Sequence, residues 1–150
     1  MDKHYTLEQT YDRCTIDGYI VAHDSLDIRK ADSFFEMAIG DLQVIENLKE
    51  KGDLWSSIFR LQYQAFCNLA RASMWLDNMT TENDQALFAY LCLKHPELDL
   101  DWGFFEKVRV KNEALQSNDQ PMHNKEWKSI ELQAMLYINA IKRHIEERIN

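Results

Sequence analysis

Apolar residues recur at alternating spacings of three and four along most of this chain, which is the pattern of helices with one buried face. Three long stretches carry the pattern, and we predict that each is a helix whose stripe faces a common core. The stripes consist of Ile28, Ala31, Phe35, Ala38, Leu42 and Ile45; of Leu54, Ile58, Leu61, Ala65, Leu69, Ala72 and Leu76; and of Trp127, Ile130, Ala134, Ile138, Ile141, Ile145 and Ile149.

Capping residues predict where these helices begin and end. The pair Thr6 and Gln9 forms a capping box for a short leading helix over 6–17, which stops near Gly18. The first long helix has three candidate caps, and Gly52 ends it. Asp53 is the expected cap of the second long helix, so a connection of about two residues should fold this pair into an antiparallel hairpin. The three candidates are Asp24, Ser25 and Asp27.

Two shorter helices are predicted between the hairpin and the last helix. Thr80 or Thr81 can cap the first of them, and His95-Pro96 ends it because the residue before proline disfavours helical geometry. Asp99 or Asp101 starts the second, which should continue to about residue 108 or 112. A polar break over 115–122 follows, and the last helix begins near 123.

These elements predict an all-α fold, an up-and-down bundle of about five helices plus the short leading helix. Only four glycines and two prolines are present, too few for the many turns of an all-β protein. We expect a single domain over 1–150, with a helical extension over 1–24 and the bundle over 25–150. Neither a signal peptide nor an apolar stretch of membrane-spanning length occurs, so a cytoplasmic protein without membrane contact is expected.

The charge of the chain is negative and unevenly distributed. The formal net charge is −8, which repels nucleic acid from the molecule as a whole. Residues 1–101 hold 9 basic against 18 acidic residues, whereas residues 102–150 hold 8 against 7. An anionic ligand such as RNA or a nucleotide should therefore bind the C-terminal third.

Cysteine and histidine spacing gives no sign of a metal or cofactor. The three cysteines, Cys14, Cys67 and Cys92, are far apart and form no Cys-x-x-Cys pair. We expect them to be buried free thiols in a reducing compartment. The Glu-x-x-His pairs of di-metal helical bundles are also missing, so no metal and no cofactor are expected.

Three segments, in order, resemble the HEPN superfamily of helical domains. Ala31–Ala38 with the following Asp41-Leu42 resembles the first bundle helix of that family. Tyr63–Phe66 with Leu69–Ala72 is similar to its second helix, and Val108–Gln116 is similar to the end of its penultimate helix. The resemblance covers about residues 25–148 and implies a HEPN-like bundle.

In the family's ribonucleases the third segment carries Arg-polar-x-x-x-His and lies in a cleft shared by two protomers. The matching positions here are Lys111, Asn112 and Gln116, with Arg109 beside them. Lysine lacks the planar fork of arginine, and glutamine cannot act as a base. The resemblance therefore implies a non-catalytic binding or assembly module, a homodimer or a partner of another protein, in a toxin–antitoxin or defence setting.

Two alternatives remain open at this point. The chain could be a metal-independent endoribonuclease in which His123 or another histidine acts as the base together with Lys111 or Arg109. It could instead be a bundle that binds a small ligand or nucleotide in a pocket walled by Trp and Tyr. Lys107, which shares a helix face with Lys111, would add charge to a phosphate-binding edge in either case.

Overall fold

The computed structural model describes residues 5–117 and 121–150. It confirms an all-α helical bundle, to which it adds one two-stranded antiparallel ribbon. In chain order the elements are α1 (Leu7–Ile16), β1 (Val21–Ala22), α2 (Ile28–Lys49), α3 (Trp55–Leu76), β2 (Met79–Thr80), α4 (Asp84–Lys94), a 3₁₀ turn (Pro96–Leu98), α5 (Trp102–Gln116) and α6 (Asn124–Ile149).

The helix α3 is the centre of the bundle. It packs against α2, α4, α5 and α6, while α1 packs on the outside of α4. Aromatic rings fill the middle of the core. Phe66 meets Phe105 edge-on at 5.5 Å between ring centroids, and Phe88 stacks on Phe105 at 4.9 Å. On the α6 side, Trp127 is fully buried. Such ring pairs stabilise a core beyond the area that they bury.

Several predicted helix ends are confirmed. The Thr6 hydroxyl accepts from the Gln9 N–H at 3.2 Å, and the Gln9 side chain accepts from the Thr6 N–H at 3.0 Å. Gly18 follows α1 with a φ of +76°. Asp27 and Asp101 cap α2 and α5 through their side chains. The polar backbone groups at these ends are thus satisfied as the sequence indicated.

The connection between α2 and α3 differs from its prediction. Asp53 does not cap α3, because it adopts a left-handed conformation with a φ of 49° and Leu54 stands at the cap position without a side-chain hydrogen bond. Residues 50–54 separate the two helices, so the connection is longer than the expected two residues. Ile28, predicted in the core stripe, is 47% exposed because it is the first residue of α2 and lies beyond the packed interface.

The start of α4 and the end of α5 also differ from their predictions. Asn83, rather than Thr80 or Thr81, caps α4 by accepting from the Ala86 N–H at 2.9 Å. Thr80 is instead paired with Val21 in the ribbon. The helix α5 continues to residue 116, past the predicted end, because its side chains at 112 and 115 still face the core.

The break predicted over 115–122 falls partly on residues 118–120, which lie outside the described residues. In the described ranges, none of the helices combines the length and the apolar character that crossing a bilayer requires.

Candidate functional site

The predicted cleft residue Lys111 lies between α5 and α6. Its ammonium contacts the Glu126 carboxylate at 3.0 Å, and its side chain is mostly buried. Beside this ion pair is a cavity of about 390 Å³ with a largely apolar wall. The wall includes Phe59, Val108, Val110, Ala114, Met122 and Ile130, with Lys107 at its edge.

Arg109 projects from α5 in another direction. Its guanidinium donates two hydrogen bonds to Glu106, both at 3.0 Å, and one to Glu113 at 2.9 Å. The hydrogen bond and charge of Glu106, followed by Glu113, raise the pKa of Arg109 above its ordinary value. Because residues two apart on a helix do not face each other, Arg109 and Lys111 bind different partners. The structure therefore does not bring them into one phosphate-binding edge.

The other two residues of the degenerate motif, Asn112 and Gln116, also lie in different environments. Asn112 is buried in the core, whereas Gln116, in the last turn of α5, is exposed. Lys107 is exposed on the side of α5 that carries Lys111. Of the predicted site residues on α5, only Lys107 and Lys111 share one cavity.

His123 and Lys111 both contact the same acidic residue, Glu126. It stands at the N-cap of α6, where its backbone N–H donates to Glu126 at 3.4 Å. The hydrogen bond from Lys111 is the main reason that the pKa of Glu126 lies below its ordinary value, so this carboxylate is ionised at neutral pH. The negative charge of Glu126 beside Lys111 repels a phosphodiester from this ammonium.

A larger groove, of about 740 Å³, lies where the β1–β2 ribbon meets α2 and α3. The imidazole of His23 stacks on Trp75 with 4.6 Å between centroids and hydrogen-bonds the Thr80 hydroxyl at 2.8 Å. Tyr19 adds an aromatic wall, and Arg71 adds a positive charge that is paired with Asp84 at 3.4 Å. Sequence reasoning missed this groove, because its residues are up to 64 positions apart and a two-residue strand has no recognisable periodicity.

The outward face of α6 carries an apolar surface. Leu132 and Leu136 are 72% and 60% exposed, and Met135 beside them is also exposed. The two leucines are one turn apart and lie opposite the buried Ala134 and Ile138. The outer face of a bundle helix is ordinarily polar, so these exposed side chains form an apolar patch on that face.

Comparison with known proteins gave no relative: the chain matches no family model, no curated protein and no solved structure.

Proposed function

We propose that this protein is a non-catalytic, HEPN-like binding module that associates with a second copy of itself. The observation that carries the proposal is the exposed pair Leu132 and Leu136 on α6. A two-fold pairing of this surface would cover the leucines of both copies, since a two-fold interface places the same patch on both subunits. The resemblance of the sequence supports a cytoplasmic setting beside toxin–antitoxin or defence components.

The remnant motif supports the non-catalytic part of the proposal. Gln116 replaces the family's histidine and cannot exchange a proton, while Lys111 is neutralised by Glu126. Asn112 is buried rather than open to a substrate. The Lys111–Glu126 ion pair instead joins α5 to α6, and binding takes place elsewhere on the surface.

The test is the mass in solution of surface variants. Replacing Leu132 and Leu136 together by Glu places charges in the proposed interface and should convert a dimer to a monomer, while both residues tolerate the change in the monomer because they are exposed. The matched control is Ile16→Glu, at an apolar residue that is 83% exposed at the end of α1. A double variant with the same mass as the wild type would contradict the proposed surface.

The ribonuclease alternative has its own test. We expect no cleavage of a labelled RNA by the purified protein in EDTA, and no difference between wild type, Lys111→Ala and His123→Ala. Cleavage by the wild type that is lost in either variant would favour the alternative, and would show that the Glu126 charge is overcome in the complex.

A second candidate function is the binding of a small anionic ligand with an aromatic ring, of the nucleotide class. The groove at the β1–β2 ribbon favours it, because the stacked His23–Trp75 pair offers a flat apolar surface and Arg71 can bind a phosphate. Arg71→Gln should weaken nucleotide binding measured by calorimetry, whereas Arg60→Gln, an exposed residue of the same helix, should not. Equal affinities of the two variants would count against this candidate.

A further inference from the structure

A cluster of ionisable residues forms where the C-terminal ends of three helices meet. Asp77 directly follows α3, and His95 directly follows α4. Glu97 lies in the 3₁₀ turn, and His144 and Arg148 reach the cluster from α6. The contacts among these residues join parts of the chain that are up to 71 positions apart.

Asp77 sets the orientation of the His95 ring. Its Oδ2 accepts from His95 Nε2 at 2.6 Å and from the Tyr90 hydroxyl at 3.0 Å, and its Oδ1 accepts from Arg148 at 2.6 Å. Because a carboxylate accepts hydrogen bonds, His95 Nε2 carries a proton. The other ring nitrogen, Nδ1, is therefore the one turned toward Glu97, whose Oε1 lies 3.1 Å away.

His144 completes the group from the α6 side. Its ring centroid is 4.7 Å from that of His95, with the two planes inclined by 64°. Its Nε2 is buried and has no hydrogen-bond partner among the described residues. One nitrogen of each histidine and one carboxylate oxygen of Glu97 all lie within 4.8 Å of one another. A buried imidazole nitrogen without a protein partner is available as a metal ligand.

We propose that His95, Glu97 and His144 bind a divalent transition-metal ion of the zinc type. The ligand atoms would be His95 Nδ1, a Glu97 oxygen and His144 Nε2. Ligands about 2.0 Å from a tetrahedral zinc ion are about 3.3 Å apart, close to the 3.1 Å between His95 Nδ1 and Glu97. The His144 nitrogen reaches the same spacing by moving roughly 1.5 Å toward the other two ligands.

The surroundings of the three ligands fit this assignment. Asp77 is a positioning residue, since histidine ligands of metals generally donate their second ring N–H to a carboxylate. Two imidazoles and one carboxylate select zinc and its neighbours over calcium or magnesium, which prefer all-oxygen sites. Three protein ligands leave a fourth position for water or another small ligand. Spacing along the chain does not indicate this site, because His95 and Glu97 are remote from His144 in the sequence.

The experiment is calorimetric titration of tag-free, chelator-treated protein with zinc chloride, repeated with cobalt(II) to record its visible spectrum. We expect one equivalent to bind and cobalt to show the intense absorption of a tetrahedral complex. His144→Ala and Glu97→Gln should each weaken binding by about tenfold or more, and Asp77→Asn by about tenfold through His95. His123→Ala is the matched control, an exposed histidine outside the cluster that should bind as the wild type does.

Two results would overturn the proposal. One is no stoichiometric binding of either metal by the wild type. The other is equal affinity of the wild type, His144→Ala and Glu97→Gln, which would place any bound metal elsewhere. Glu97 is more than half exposed, so Glu97→Gln should fold even if His144→Ala does not, and circular dichroism in EDTA checks both.

Discussion

Burial determines the chemistry of the three cysteines. Cys14, Cys67 and Cys92 are all buried free thiols, as the sequence predicted. Burial raises the pKa of Cys67 and of Cys92 to about 12, and burial together with Asp17 raises that of Cys14. Since the thiolate is the reactive form, all three should be poor nucleophiles in the folded protein.

The corresponding prediction concerns a thiol reagent. At about pH 8, where an unperturbed thiol is partly ionised, Ellman's reagent should react slowly with the folded wild type and rapidly with three thiols after unfolding in guanidinium. Ile16→Cys, at an exposed position, should add one fast-reacting thiol to the folded protein. A native cysteine that reacts as fast as the added one would contradict the burial.

Asp77 is the residue on which the polar cluster depends most. Burial pushes its pKa upward, but the hydrogen bonds and charges of His95 and Arg148 outweigh burial, and the net pKa lies below its ordinary value. The hydrogen bond that His95 donates to Asp77 is in turn the largest cause of the raised pKa of His95. One carboxylate thus stabilises the guanidinium of Arg148 and fixes the orientation of the His95 ring.

Replacing Asp77 by Asn should therefore destabilise the protein in chelator-treated buffer. We expect a loss of about 2–3 kcal/mol in the free energy of unfolding, because two charge-assisted hydrogen bonds lose their anionic acceptor. Urea denaturation measures it. The exposed Asp12→Asn is the control and should change stability by less than about 0.5 kcal/mol. Equal stability of the two variants would show that the cluster contributes little.

The two glycines in and after α2 have different backbone conformations. Gly40 lies inside the helix, where an added methyl group would meet nothing within 4 Å. Gly52 lies in the connection to α3 with a φ of +68°, also with open space around it. Since neither position is crowded, backbone conformation alone should decide the effect of alanine.

Alanine at these two positions should therefore shift stability in opposite directions. Gly40→Ala should raise the free energy of unfolding by about 0.5–1 kcal/mol, because alanine loses less entropy in a helix. Gly52→Ala should lower it by about 1 kcal/mol, because the left-handed conformation strains an L-residue. Thermal denaturation of the two variants and the wild type measures both shifts. A shift of the same sign in both variants would refute the conformations assigned to the two glycines.

The six helices follow from apolar spacing, because that signal extends over many residues. The capping residue of one helix is harder to predict than the helix itself. Asp53 has a suitable side chain, but its left-handed backbone prevents it from capping α3. The ribbon strands have two residues each and carry no pattern that could predict them.

The candidate sites were less predictable than the helices. The motif at 108–116 is a continuous part of α5, although the sequence predicts that this helix ends near 108 or 112. Helix rotation separates Arg109 from Lys111, and the partner Glu126 comes from α6. The groove around Trp75 and the cluster around Asp77 require contacts between distant segments. Only the tertiary fold creates those contacts, so spacing along the chain could not indicate them.

As a whole molecule, the protein is proposed to act by associating with a second copy of itself and not by catalysis. The net charge of −8 makes a nucleic-acid partner unfavourable over most of the surface, and the α5–α6 cations are already paired in part with acids. The outward face of α6 also carries the exposed Leu132 and Leu136, and a second copy of the chain offers the same surface.

The most direct test of this claim is the mass of the unmodified, tag-free protein, measured by sedimentation over a wide range of concentrations. We expect a species of twice the 17.8 kDa chain mass that dissociates only on dilution. A mass of one chain at every concentration would contradict it.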